Sequence, residues 1–220
     1  MINSCPDLTA LDLNLYLTSD MQSPDWKNWL LDHYISQWNS LTSLRELKLA
    51  GLVEVDWTDL LYNRPQHQSL HSLFQRNDFI HTLRLDWLHV YQNSVAWCTA
   101  LVESLFPSLR CLAGPADLCI TVAKSRVIAP RLEVLEITAE FDRRKRGGGD
   151  VFELLAAFSM PMPALVKLLY KVEGSEPSIL KMRELGQFLA MAPGLDTIVI
   201  QHYMQYPVRT EFLSIVTTPT

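Results

Sequence analysis

The sequence has little of what usually announces chemistry. Its 220 residues include four cysteines, Cys5, Cys98, Cys111 and Cys119, and no two stand in a CxxC pair. Their spacings suit neither a zinc site nor a disulfide framework, so they read as reduced, mostly buried thiols of an intracellular protein, cytoplasmic or nuclear. No apolar run approaches the roughly 20 residues that a membrane helix needs. The first residues, Met1-Ile2-Asn3-Ser4-Cys5-Pro6, carry neither the basic nor the apolar region of a signal peptide. An excess of one charge is missing too. The formal net charge of -5 gives no reason to expect nucleic acid or an anionic membrane as a partner.

Catalytic signatures are also absent. There is no Gly-x-Ser-x-Gly elbow, and no cysteine stands in a recognisable nucleophile context. Gly147-Gly148-Gly149 is not a phosphate loop, because no Lys-Ser or Lys-Thr follows at the needed spacing. His67 and His71 could share a helix face, but no acidic or cysteine partner stands nearby in sequence. No metal site, cofactor or catalytic residue is therefore assigned. Asp12, Asp86 and Glu136 are the carboxylates on which a dispersed active site would draw, and a structural role is preferred for them. The strongest local anomaly is Arg143-Arg144-Lys145-Arg146, just before the three glycines. It suits a nuclear-import signal, an acidic-partner contact or a nucleic-acid contact, with a flexible solvated loop as the favoured reading.

What the chain does have is apolar residues, 48% of the total, enough for a sizeable core. They carry an internal repeat: apolar, two residues, apolar, one residue, apolar, often with Pro two places before the first. The copies begin with Pro6-Asp7-Leu8-Thr9-Ala10-Leu11-Asp12-Leu13 and Thr42-Ser43-Leu44-Arg45-Glu46-Leu47-Lys48-Leu49. Ile80-His81-Thr82-Leu83-Arg84-Leu85 follows, then Pro107-Ser108-Leu109-Arg110-Cys111-Leu112, whose third apolar position is Gly114. The fifth is Pro130-Arg131-Leu132-Glu133-Val134-Leu135-Glu136-Ile137. The sixth is Pro163-Ala164-Leu165-Val166-Lys167-Leu168 with Tyr170 third, and the last is Pro193-Gly194-Leu195-Asp196-Thr197-Ile198-Val199-Ile200. The leading positions are 8, 44, 80, 109, 132, 165 and 195, at intervals of 36, 36, 29, 23, 33 and 30. Seven copies, five with Pro at one offset, exceed what a Leu-rich chain gives by chance. The last two apolar positions are two apart, as on one face of a strand. The proline stops the preceding helix and starts an extended segment.

Helical patterns fill the intervals. Ser23-Pro24-Asp25 is a helix start, followed by Trp26, Trp29, Leu30, His33, Tyr34 and Trp38 near a 3.6-residue period. Leu70, Leu73 and Phe74 predict one short helix. Ser94 is placed to cap a helix carrying Val95, Cys98, Leu101, Val102 and Leu105, which Pro107 ends. Residues 115–129 leave room for a turn or a weak helix. Asp150 and Glu153 resemble a capping box ahead of Val151, Leu154, Leu155 and Phe158. Pro177 opens a last helix with Met182, Leu185, Leu189 and Ala192 inward. The tryptophans at 26, 29, 38, 57 and 97 are expected to be core.

Strand and helix alternating through short connections predict parallel strands. Units that cannot bury their apolar stripe alone stack into an array. Repeats of the form Pro-x-Leu-x-x-Leu-x-Leu, irregular in length and separated by helices, resemble the leucine-rich-repeat region of fungal F-box/LRR-like proteins over about residues 5–205. The resemblance implies an α/β leucine-rich-repeat solenoid of about seven irregular repeats in one domain, 1–220, with a curved parallel sheet and helices on the convex side. It implies a non-catalytic protein-interaction scaffold, the substrate-recognition part of a ubiquitin-ligase adaptor. The F-box itself is not found: residues 26–38 lie between the first two repeats and lack the family's Leu-Pro opening. The chain also begins almost inside a repeat strand without a polar cap, so a preceding segment or another chain is expected to cover that edge. The ligase core would then be reached through that preceding segment.

In such an array the residues between the apolar positions face outward and would meet another protein. Those expected to do so are Asp12, Glu46, Lys48, Arg84, Asp86, Trp87, Glu136, Lys167 and Lys171, each weighed evenly against plain solvation. The alternative is a small-molecule enzyme on an open doubly wound α/β sheet, with titratable groups converging at strand ends.

Overall fold

The repeat begins with a tight turn, and its proline has a place in that turn. The computed structural model describes residues 5, 7–14, 32–38, 41–50, 69–86, 97–139, 155, 157–173, 182–203 and 210–216. Within them the N–H of the leading apolar residue donates to the carbonyl three residues earlier at Leu8, Ile80, Leu109, Leu132, Leu165 and Leu195, over 3.1–3.3 Å. Pro107, Pro130, Pro163 and Pro193 occupy the second position of such turns. That position wants the φ near -65° that the ring imposes. After the first repeat, where exposed Cys5 stands, the first position of the turn is a further inward position, which the sequence pattern did not include. Leu41, Phe106, Ala129, Met162 and Ala192 stand there at 0–1% exposure.

The chain divides into two compact units, Met1–Leu109 and Arg110–Thr220. The first holds three parallel strands in chain order, β1 (Ala10–Asn14), β2 (Glu46–Ala50) and β3 (Thr82–Asp86). Leu11, Leu47 and Leu83 lie in register, as do Leu13, Leu49 and Leu85. All four leucines on β2 and β3 are 0–1% exposed, whereas Leu11 and Leu13 on β1 are half-buried. Helix α1 (Ser69–Arg76) buries Leu70, Leu73 and Phe74 on one stripe, as the spacing predicts. Its first N–H is accepted by the Asp32 carboxylate at 2.9 Å, and Arg76 sits in the last turn, where a cation suits the helix dipole. Helix α2 (Thr99–Leu105) starts later than the Ser94 cap predicts. Cys98 is at its N-cap with no side-chain bond, while Ser94 and Val95 lie outside the described residues. Phe106 follows the helix and meets Phe74 edge-on, with ring centroids 4.6 Å apart.

The second unit holds β4 (Cys111–Pro115), β5 (Val134–Ala139), β6 (Lys167–Glu173) and β7 (Thr197–Tyr203), parallel and in chain order. Leu112, Leu135, Leu168 and Ile198 align, and Gly114, Ile137, Tyr170 and Ile200 form the next row. The short fourth and fifth repeats therefore stay in phase. A strand that the repeat does not predict, β8 (Thr210–Val216), pairs antiparallel with β7, so this sheet is not wholly parallel. Residues 115–129 hold more than a turn. Pro115 ends β4 in extended geometry and opens α3 (Ala116–Ala123), with Asp117 in its first turn and Leu118, Cys119, Val122 and Ala123 buried. The Ser125 hydroxyl then accepts the N–H groups of Val127 and Ile128 at 3.1 and 2.9 Å, and a 3-10 turn, Ala129–Arg131, leads to Leu132. Helix α4 (Met182–Met191) buries Phe188 against Phe158, with centroids 5.7 Å apart. Ala192 is buried as predicted, and Leu189 is only half-buried. Pro177 and the 150–154 capping box lie outside the described residues, while Leu155 and Phe158 are core.

Adjacent strands within each unit are joined identically at their starts. The carbonyl one residue after the leading position accepts two N–H groups from the next repeat. Thr9 takes those of Arg45 and Glu46 at 2.7 and 3.0 Å, and Arg45 takes those of His81 and Thr82 at 2.8 and 3.1 Å. Arg110 takes those of Glu133 and Val134, Glu133 those of Val166 and Lys167, and Val166 those of Asp196 and Thr197, over 2.7–3.2 Å. One hydrogen-bond rule thus serves five junctions.

Candidate functional site: the outward rows

With one side chain of each strand pair committed to the core, the intervening residues form rows on the other face. In the first unit the middle row is Asp12, Lys48 and Arg84 in register. Lys48 Nζ lies 2.9 Å from Asp12 Oδ2, with the two side chains 39% and 62% exposed. Glu46 is exposed between Ala10 and Thr82 in the row before, and Asp86 stands opposite Ala50 in the row after. Arg84 is half-buried and takes part in interactions of its own. The strands therefore bring together Asp12, Glu46, Lys48, Arg84 and Asp86. Trp87 lies outside the described residues, as do Trp26, Trp29, Trp57, His67 and the basic run at 143–146. Trp38 is core at 6% exposure, and Trp97 is half-buried.

The second unit presents a different surface. Its middle row is Ala113, Glu136, Leu169 and Val199, with Cys111, Val134, Lys167 and Thr197 before it and Pro115, Thr138, Lys171 and Gln201 after it. Lys167 is exposed, and Leu169 and Val199 are half-buried. Glu136 departs from the expectation of a solvated carboxylate: it is 7% exposed, with Ala113 and Leu169 as its register neighbours. Its backbone carbonyl receives the Cys119 thiol at 3.7 Å, and the same thiol reaches the Gly114 carbonyl at 3.5 Å. Burial pushes that thiol well above the ordinary range, and the carboxylates of Asp117 and Glu136 add to the effect, while the Gly114 contact opposes it.

One pair at the rim escaped the pattern. Arg110 Nη1 bonds Glu133 Oε1 at 3.0 Å, both side chains about half exposed. The two occupy the same offset of consecutive repeats with opposite charge, a signal legible once the repeats are aligned. None of the four cysteines is in a disulfide; Cys5 and Cys98 are exposed, Cys111 half-buried and Cys119 buried. Among the described residues no group of three His, Cys, Asp or Glu side chains could hold a metal ion. Nor, among them, is any helix long and apolar enough to cross a membrane. The rows thus offer exposed charge beside half-buried apolar side chains, the materials of a recognition surface. No family model matches the chain, and no curated protein matches it.

Proposed function

We propose that the chain is a leucine-rich-repeat solenoid that acts inside the cell as a non-catalytic scaffold, holding another protein on its outward strand rows. The observation that carries this reading is the repeated junction, in which the same carbonyl of each repeat accepts the same two N–H groups of the next. A chain built by copying one unit gives successive strands a common face, and such faces serve extended recognition surfaces. The consecutive strand order within each unit also favours it over a doubly wound sheet, whose ligand crevice lies where strand order reverses. The further step, to the substrate-recognition part of an F-box-type ubiquitin-ligase adaptor, rests on the family resemblance of the repeats.

Affinity capture with the wild-type chain and two row variants, Glu46→Lys and Leu169→Asp, tests the reading. A protein retained by the wild type and lost by either variant, with circular dichroism unchanged, supports recognition on the rows. A partner that survives both row variants but is lost on changing exposed helix positions, such as Ser104→Arg or Gln187→Arg, overturns it. Recovery of a ligase core protein decides for the adaptor role, and its absence leaves a plain scaffold.

A further inference from the structure

We propose that the open edge of β1 receives an extended segment of another protein, running parallel to β1, with the pattern apolar–cation–apolar. Its backbone continues the sheet, its two apolar side chains cover Leu11 and Leu13, and the cation between them pairs with Asp12. This surface is the end of the sheet rather than its outward rows, so it stands apart from the scaffold reading.

At five junctions the two N–H groups that open a strand are accepted by a carbonyl of the repeat before, as at Arg45 and Glu46 or His81 and Thr82. Thr9 and Ala10 hold the same two places in the first repeat, and their N–H groups meet no acceptor among the described residues. Among those residues β1 is the first strand of its sheet and pairs with β2 alone. In a parallel ladder alternate residues turn both N–H and C=O to one side. The Thr9 carbonyl serves β2, so Ala10, Asp12 and Asn14 turn theirs to the open side. The apolar face is incomplete at the same end. Leu8, Leu11 and Leu13 are half-buried, whereas their counterparts in the second and third repeats are 0–1% exposed. Two apolar residues two apart on a neighbouring strand, about 4.8 Å away, would reach Leu11 and Leu13.

Charge decides what stands between them. Asp12 is 62% exposed, and its bond to Lys48 uses Oδ2. Its Oδ1 has no partner among the described residues. Asp7, in the turn before β1, is exposed and adds a second acid, and no lysine, arginine or histidine precedes Lys27. Residues at one offset of consecutive repeats pair across the junction twice, Lys48 with Asp12 and Arg110 with Glu133. A cation opposite Asp12 on the added strand repeats that contact. The strand on the other side of β1 already has the pattern, with Leu47-Lys48-Leu49 in register with Leu11-Asp12-Leu13. A second copy offering its own β1 would bring Leu-Asp-Leu to Leu-Asp-Leu, acid beside acid.

The test is a random-peptide display selection on the full chain, followed by binding of the selected peptides to two variants. Ala10→Pro removes an N–H that bonds nothing among the described residues, and edge strands tolerate proline. Asp12→Lys reverses the charge. The expected result is enrichment of peptides with Lys or Arg between two apolar residues, bound at least tenfold more weakly by each variant. N-methylation of one set of alternate peptide residues should abolish binding, and of the other set should spare it, because only one set faces β1. Circular dichroism checks folding; if Ala10→Pro does not fold, Asp12→Lys and the N-methylated peptides decide. Enrichment without the cation, no enrichment, binding to folded variants as tight as to wild type, or indifference to both N-methylated sets would each overturn the inference. A dimer of the free chain that Ala10→Pro dissolves would also overturn it, because a second copy would then hold the edge.

Discussion

The side-chain amide of Asn77 donates to the Leu41 carbonyl at 3.0 Å, joining the turns that open the second and third repeats. The same nitrogen reaches the Leu73 carbonyl at 2.8 Å, and its Oδ1 accepts the Leu44 N–H at 3.0 Å. Asn77 is 1% exposed and holds the turn position that the second and the fourth to seventh repeats give to Leu, Phe, Ala or Met. It also answers for Leu44, the leading residue whose N–H goes to this side chain. Replacing it by Leu keeps the volume and strands three buried backbone groups. Each net hydrogen bond is worth about 1 kcal/mol, and an orphaned buried group costs about 1–3. Asn77→Leu should therefore destabilise the first unit by about 3 kcal/mol, read as a lowered urea midpoint by tryptophan fluorescence. A loss under about 0.5 kcal/mol would mean that the three bonds are not formed.

The close stacking of turns is tested by two glycines. A Cβ on Gly194 would come within 2.8 Å of the Pro163 carbonyl oxygen, a backbone atom of the preceding turn. Gly186, in α4, would meet nothing within 4 Å. Gly194→Ala should cost about 1–3 kcal/mol through displaced backbone. Gly186→Ala should stabilise by about 0.5–1 kcal/mol, because alanine is the better helix former. The opposite signs are checked in one set of thermal melts. Equal effects would show that the sixth and seventh turns do not touch.

Leu135 is fully buried in β5 between Leu112 and Leu168. Leu135→Ala should cost about 2–5 kcal/mol by leaving a cavity in the row. A cost under about 0.5 kcal/mol, measured by denaturant unfolding, would mean that the strand is misplaced.

Much of this fold was legible because the repeat is written in large apolar side chains. Leu44 marks the turn before β2, Leu47 and Leu49 give its inward positions directly, and the register of β1 to β3 and of β4 to β7 follows from aligning such triplets. The first turn position was not legible, because Leu41, Asn77, Phe106 and Ala129 share burial but no chemistry. Helix α3 was underread because Pro115 looks like a break, whereas its fixed φ also suits a helix entrance. β8 lies beyond the last repeat and follows no copy of the motif. On the outward face, alternation placed Asp12, Lys48 and Lys167 on exposed or half-exposed rows. It could not show that Glu136 would be recessed, since burial depends on neighbours in other strands.

Outward-row charges should separate stability from binding. The Lys48–Asp12 pair is largely solvated on both sides, and such pairs contribute about 0–1 kcal/mol. Asp12→Asn should shift the unfolding midpoint by less than the equivalent of about 0.5 kcal/mol, while altering affinity for a partner seated on the first unit. A large stability loss would place Asp12 in the core economy of β1 and β2 rather than on a binding face.

The Cys119 thiol gives a pH test with a definite sign. Its folded pKa is raised, first by burial and then by the carboxylates of Asp117 and Glu136. The unfolded thiol, near pH 8.5, releases its proton before the folded one. The contribution is therefore fully present below the unfolded value and is lost as pH rises from there toward the folded one. Unfolding free energy should fall with rising pH above about 8.5, and Cys119→Ala should flatten that part of the slope. Thiol labelling at pH 8 supplies a second readout. Exposed Cys5 and Cys98 should react first, and Cys119 only at the rate of unfolding, since thiolate character and access both govern the reaction. Rapid modification of Cys119 in the folded chain would show that α3 does not cover β4 and β5 as described.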